Sequence, residues 1–118
     1  MRKEIKRRER RDVGIVITDT FGRPFREGQI NIAIGISGVD PIISYIGEND
    51  MFGKSLRITE IAVADEIASA AELVMKKSLR IPAAIVRGWQ FEFKNVTASK
   101  LIRSKQNDFF RRSSNVKY

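Results

Sequence analysis

The spacing of apolar positions changes several times along this chain, and each change predicts an element. Residues 2–11 (RKEIKRRERR) carry one apolar side chain, Ile5. The run has helical character but no face to bury, so it reads as the last turns of a longer helix. VGIVIT at 13–18 is a continuous, β-branched apolar run of strand length, the pattern of a strand covered on both faces. DTFGRPFREG at 19–28 is a loop broken by Gly22, Pro24 and Gly28. QINIAIGI at 29–36 sets Ile30, Ile32, Ile34 and Ile36 at period two, a second strand. A turn around Gly38 and Pro41 then leads to a short third strand at 42–46.

GENDMFGKS at 47–55 reads as a turn region and SLRITEIAV at 55–63 as the next strand. A helix is predicted over 64–77, with Ile67, Ala70, Ala71 and Val74 along one face and a Glu72–Lys76 pair one turn apart. Pro82 precedes AAIV at 83–86, read as another buried strand. Residues 87–98 are irregular or strand-like and hold the only tryptophan, Trp89. A last helix is expected over 99–112, with Leu101, Ile102, Phe109 and Phe110 as its apolar side. The chain has no internal repeat and no low-complexity segment. The expected fold class is mixed α/β (α+β), mostly β-sheet, with one central helix and a C-terminal helix. It forms one domain over 13–118, preceded by the charged stub at 1–12.

Composition narrows the chemistry. The chain has 118 residues and no cysteine, which removes disulfides, zinc–thiolate sites and thiol nucleophiles. It also has no histidine, which removes the commonest general base and every Ser-His-Asp arrangement. A metal bound here must be held by oxygen, which points to Mg²⁺, Mn²⁺ or Ca²⁺. No apolar stretch approaches the ~20 residues of a membrane span. Charge rather than an apolar segment follows Met1, so no signal peptide is expected, and a soluble cytoplasmic protein is the default.

The net charge of +8 matters only through its location. Residues 1–12 hold seven Lys/Arg against three Asp/Glu, and residues 100–118 hold six against one, whereas the intervening 87 residues are nearly neutral. Basic ends suit a solvated helix face or an anionic cofactor as well as nucleic acid, and no nucleic-acid-binding motif accompanies them.

The best local signal is VGIVITDT. An apolar strand ending in Asp19–Thr20 would deliver a carboxylate and a hydroxyl to the edge of a sheet, where ligands of open α/β sheets bind and where nucleotide enzymes hold Mg²⁺. Alternatively, Asp19 opens the following turn or caps local amides. Gly47…Gly53-Lys54-Ser55 resembles a phosphate loop, but five residues separate the glycines where the motif needs four, and an ordinary tight turn explains it better. Arg23 and Arg26 beside Asp19, with Arg87 after AAIV, suit recognition of phosphate or carboxylate. Salt bridging or exposure is the other reading of each. Asp65 and Glu66 open the 64–77 helix, where negative charge offsets the helix dipole.

Three ordered strings carry a resemblance that these residues alone do not name. VGIVITDTFGRPFREGQINIAIGISGVDPI, then DMFGKSLRITEIAVADEIASAAELVMKK, then IPAAIVRG resemble the coenzyme F-420-0:L-glutamate ligase (gamma-glutamyl ligase) family, and LIRSKQNDFFR resembles that family's ending. The likeness runs over about residues 13–112 and covers the carboxy-terminal half of the family's chain. It implies a mixed α/β, intertwined homodimer that uses GTP and Mn²⁺ or Mg²⁺ to add L-glutamate to the deazaflavin precursor F-420-0. The course implied is phosphoryl activation of the precursor's carboxylate, attack by the glutamate amine, and release of GDP and phosphate. Carried over by position, Asp19 is a metal ligand and Thr20 contributes to a second metal; Arg23 and Arg26, from their place beside Asp19, are the catalytic candidates. Met75, Lys76, Lys77, Ser78, Leu79, Arg80 and Ile81 form the nucleotide-contacting stretch.

The chain departs from the family in that stretch. Lys76 stands where members often carry glycine, and Lys77 stands where some supply an acidic metal ligand. The resemblance also makes the stub at 1–12 the end of a helix joining two halves, the amino-terminal one supplying most nucleotide contacts. Three functional readings follow: half of a working ligase completed by a separately encoded partner, a non-catalytic remnant or binding module, and, least supported, a basic nucleic-acid-binding protein.

Overall fold

The computed structural model describes residues 1–108 and 110. Its elements run α1 (Arg2–Glu9), β1 (Ile15–Gly22), β2 (Gln29–Ser37), β3 (Ile43–Ser44), β4 (Glu60–Ile61) and α2 (Val63–Met75), with a single 3₁₀ turn at Ala98–Leu101. The fold is mixed α+β, with two antiparallel sheets of two strands each among the described residues.

The β1–β2 hairpin is the scaffold. Its strands pair antiparallel from Ile15–Ser37 to Gly22–Gln29, with a register shift between Ile17 and Thr18. Directly paired residues share a face. Thr18 with Ala33 and Thr20 with Asn31 therefore lie on one side, while Asp19 with Ile32 and Phe21 with Ile30 lie on the other. Helix α2 covers the first side. Alanine-rich composition favours it, and Asp65 and Glu66 sit in its first turn, where the helix dipole welcomes negative charge. Ala64 and Ala68, one turn apart and fully buried, let its backbone approach β2 closely.

Two side chains of α2 then do what a third strand would otherwise do. The Ala33 N–H donates to Asp65 Oδ1 at 2.8 Å, and Ser69 Oγ donates to the Asn31 carbonyl at 2.9 Å. Buried backbone groups must find partners, and these two find them on the helix. The core is correspondingly small: Ala33, Val39, Val63, Ala64 and Ala68 are its buried apolar residues, with Pro41 fully enclosed beside them.

Several sequence expectations need correction. The 13–18 run is not covered on both faces, since Ile17 remains 55% exposed. Nor does the strand stop before Asp19: β1 continues to Gly22. The strands expected at 42–46 and 55–63 shrink to two paired residues each. Helix α2 ends at Met75, because Lys76 adopts φ 49°, ψ 165° and turns the chain out of the helix. The buried face of α2 is the alanine stripe, and Val74 points outward. Glu72 pairs with Lys77 rather than Lys76. AAIV forms no strand, and Ile85 and Val86 are exposed. The expected last helix is one 3₁₀ turn followed by bends as far as residue 108, with Ile102 and Phe110 exposed. Phe109 and residues 111–112 lie outside the described residues.

The 87–101 region is nonetheless anchored. Trp89, Phe91 and Phe93 alternate along it, Trp89 stacked on Phe91 at 5.3 Å and Phe91 tilted against Phe93 at 4.9 Å, and the Arg2 guanidinium lies over Phe93 at 5.2 Å. Phe91 sits so close to Gly14 that a Cβ there would meet it at 3.3 Å. Asp40 fixes the far end, accepting from Lys100 Nζ at 2.6 Å and Lys94 Nζ at 3.0 Å.

The radius of gyration, 17.3 Å, exceeds the about 13–14 Å of a compact domain of this length. The excess goes with apolar surface left exposed among the described residues: Ile17, Phe21 and Ile34 on the open hairpin face, Leu73 and Val74 on α2, and Ile85 beyond.

Candidate functional site

Because successive side chains of a strand point to opposite faces, Asp19 and Thr20 do not act on one ion. Asp19 is exposed on the open face, paired with Ile32 and flanked by Ile17 and Phe21. Its Oδ1 accepts the Thr20 N–H at 2.7 Å. No group of three or more acidic side chains that could hold a metal occurs among the described residues. One carboxylate supplies too few ligands for Mn²⁺ or Mg²⁺, so a centre at Asp19 requires oxygen donors from outside the described residues.

Thr20 belongs to a polar cluster on the α2 side, open to solvent at Lys77. Lys77 Nζ donates to Thr20 Oγ1 at 2.6 Å and to Asn31 Oδ1 at 3.2 Å, and lies 3.3 Å from Glu72 Oε2. The Thr20 hydroxyl donates onward to Asn31 Oδ1 at 3.3 Å, and Asn31 Nδ2 donates to Glu72 Oε2 at 2.9 Å. Asn31 is only 4% exposed, the one buried polar side chain among the described residues. The oxygens here face an ammonium supplied by the chain, and they do not fit a divalent ion while Lys77 stands among them.

The remaining candidates separate. Arg23 does not approach Asp19; its Nη2 donates to the Glu27 and Gly28 carbonyls at 2.9 and 3.4 Å and closes the loop at 23–28. Its Nε is buried without a hydrogen-bond partner. Arg26 is exposed on the same loop, and Arg87 is exposed beyond AAIV. Of the stretch from Met75 to Ile81, Lys77 hydrogen-bonds to the hairpin, Met75 is half-buried, and residues 76–81, Lys77 among them, are exposed. The Gly53-Lys54-Ser55 turn is an ordinary tight turn: Asp50 Oδ1 accepts the Phe52 and Lys54 N–H groups at 2.9 and 2.8 Å, which removes them from any phosphate.

Asn31 was not singled out from the sequence, because among four alternating isoleucines it reads as the solvent-side partner. Asp40 was missed as well. Burial alone would raise its carboxyl, but hydrogen bonds from Lys100, Lys94 and the Ile42 N–H overcome that and hold it at about 2.

The described residues form a mixed α+β protein whose hairpin is backed by one short helix and left exposed on its other face. Comparison with known proteins says which kind: the profile of the F420-0:Gamma-glutamyl ligase family matches residues 1–88, and the chain belongs to that family. It is 46% identical over 112 residues to the coenzyme F420:L-glutamate ligase of Methanocaldococcus jannaschii, a match covering 94% of this chain and 45% of the relative. The enzyme of the same name from Methanococcus maripaludis is 44% identical over 112 residues, again 94% and 45%. That of Methanopyrus kandleri is 45% identical over 118 aligned positions, 92% and 47%. The chain thus spans slightly less than half the length of these relatives. No helix among the described residues is long and apolar enough to cross a membrane.

Proposed function

We propose that this chain is the carboxy-terminal half of a coenzyme F-420-0:L-glutamate ligase and works when a second protein segment covers the open face of its hairpin. The observation that carries the reading is the close likeness to coenzyme F420:L-glutamate ligases over 94% of the chain. The bare Ile17, Phe21 and Ile34 surface around Asp19 supports it, since a covering segment would bury that apolar area and bring oxygen donors to the carboxylate.

In this reading GTP is the phosphoryl donor. A carboxylate oxygen of F-420-0 attacks the γ-phosphorus, the bond to GDP breaks, and an acyl phosphate results. The amine of L-glutamate then attacks the acyl carbon, phosphate leaves with the bonding electrons, and the amine loses a proton. Mn²⁺ or Mg²⁺, held at Asp19 with donors from the covering segment, would offset charge on the transferred phosphoryl group. Arg26 and the exposed Arg80 are placed in solvent, where they can meet phosphate or carboxylate oxygens, while Arg23 shapes the loop that carries Arg26. The covering segment is a separately encoded amino-terminal half, a second copy of the chain, or both, and the assembly acts in the cytoplasm.

The test is mass spectrometry of the deazaflavin after incubation with F-420-0, L-glutamate, GTP and Mn²⁺. The chain is assayed alone and with the amino-terminal half of the Methanocaldococcus relative. Gain of one glutamyl unit only with the added half is the expected result. No gain in either tube, from samples that form a complex by size exclusion, overturns the proposal. It would favour the second reading, a non-catalytic binding module, which the lysine at position 77 already supports.

A further inference from the structure

We infer that the Lys77 ammonium is a built-in cation, occupying the only cation position of the Thr20–Asn31–Glu72 cluster and excluding divalent metal from it. An ammonium has three donors and no acceptor. Here it meets three oxygens from three parts of the fold: the Thr20 hydroxyl on β1 at 2.6 Å, the Asn31 amide oxygen on β2 at 3.2 Å, and the Glu72 carboxylate on α2 at 3.3 Å. The cluster's members are also bonded to one another: the Thr20 proton goes to Asn31 Oδ1, and Asn31 Nδ2 donates to Glu72 Oε2. A buried asparagine clasped from both sides fixes these oxygens, so they converge on one point rather than adapting to whatever arrives.

Carboxylate, hydroxyl and amide oxygens are the donors hard divalent cations take. Those oxygens already face Nζ, so a divalent ion among them would have to displace the ammonium, whose side chain is 64% exposed, or sit against its positive charge. Lysine can hold the place because its stem returns from beyond the end of α2: the turn at Lys76 sends residue 77 back across the helix terminus toward β1. Lys77 makes the oxygen cluster self-neutralised, needing no ion, and ties β1, β2 and α2 together. The inference concerns the chain itself and stands whether or not the completed assembly makes a glutamylated product.

The experiment titrates Mn²⁺ into ¹⁵N-labelled full chain carrying Asp19→Asn, which silences the other face, and follows paramagnetic broadening of the Thr20 and Asn31 amide signals. Lys77→Glu and Lys77→Gln are compared in the same background. With Lys77 present, no selective broadening of these two signals is expected through millimolar Mn²⁺. Lys77→Glu should broaden both at a concentration at least tenfold lower, with one Mn²⁺ bound per chain by electron paramagnetic resonance. Lys77→Gln should do so more weakly, and it preserves the test should the charge reversal unfold the chain. Selective broadening at Thr20 and Asn31 with Lys77 in place overturns the inference. So does a folded Lys77→Glu or Lys77→Gln chain that binds no more Mn²⁺ than its parent.

Discussion

Lys76 is the point at which strain and site coincide. Its φ of 49° with ψ of 165° falls in a region of backbone space that is essentially glycine's. A side-chain-bearing residue held there costs about 1–3 kcal/mol, because Cβ crowds the backbone. Glycine would escape that cost and lose about 0.5–1 kcal/mol through the greater freedom of the unfolded chain. Lys76→Gly should therefore stabilise the chain by about 1 kcal/mol, opposite in sign to the usual effect of introducing glycine at a helix end. For a domain near this size the gain is a rise of about 4–8 °C in Tm. Lys76→Ala is the control, since it removes the charge and the long stem but keeps Cβ and hence the strain. Thermal unfolding followed by far-ultraviolet circular dichroism, with urea midpoints as a check, decides the matter. If Lys76→Gly is no more stable than Lys76→Ala, the backbone at this turn is not strained, and the account of how Lys77 is delivered to Thr20 fails with it.

Three further outcomes follow from the packing. Asp65→Ala should cost about 1–3 kcal/mol in urea unfolding, because it orphans the Ala33 N–H, whereas Asp65→Asn, which keeps a carbonyl acceptor, should cost less than half as much; equal losses would shift the role of Asp65 to the helix dipole. Ala68→Leu, at a fully buried position between α2 and β2, should cost about 1–3 kcal/mol by overpacking, and an unchanged midpoint would mean the helix is not seated on the hairpin as described. Asp40 lies at about 2 against an ordinary 3.8, so its stabilisation is fully present above pH 3.8 and is lost as pH falls toward 2. Both lysine partners are nearly half exposed, so screening reduces the contribution to about 1 kcal/mol. Asp40→Asn should loosen the 87–101 region at pH 7, read as faster quenching of Trp89 by iodide, and the mutant and parent should converge below pH 2.

What was legible in the sequence was the part fixed by local pattern. The two strands of the hairpin and the α2 helix announced themselves through an apolar β-branched run, period-two isoleucines and helical apolar spacing, and all three lie within four residues of their expected ends. What failed was every inference from hydrophobicity to burial. The expectation that 13–18 is covered on both faces fails at Ile17, and on β2 the side that meets α2 is Asn31 and Ala33, while Ile34 is 56% exposed. AAIV failed for the same reason: an apolar run is buried only when something lies against it, and among the described residues nothing does. A periodicity says which residues share a face. It says nothing of whether the layer covering that face belongs to the same chain.

The same reasoning explains why the site could be half read. Asp19–Thr20 was found because a carboxylate and a hydroxyl after an apolar run are conspicuous, but β1 runs through them and divides them between two faces with opposite character. On one side Thr20 is enclosed by the chain's own groups, with charge balanced by Lys77 and Glu72. On the other, Asp19 stands alone in apolar surface. An exposed carboxylate ringed by isoleucine and phenylalanine is poorly placed in a free chain, since any layer that buried the apolar groups would have to desolvate the charge as well. That cost is avoided if the covering layer brings a cation or its own hydrogen-bond donors to Asp19. The open face therefore constrains its complement in two ways at once: it must be apolar enough to pack on Ile17, Phe21 and Ile34, and it must bring a cation or hydrogen-bond donors to Asp19. A segment meeting only the first condition should bind the Asp19→Asn chain better than the natural one, and a segment meeting both should show the reverse preference.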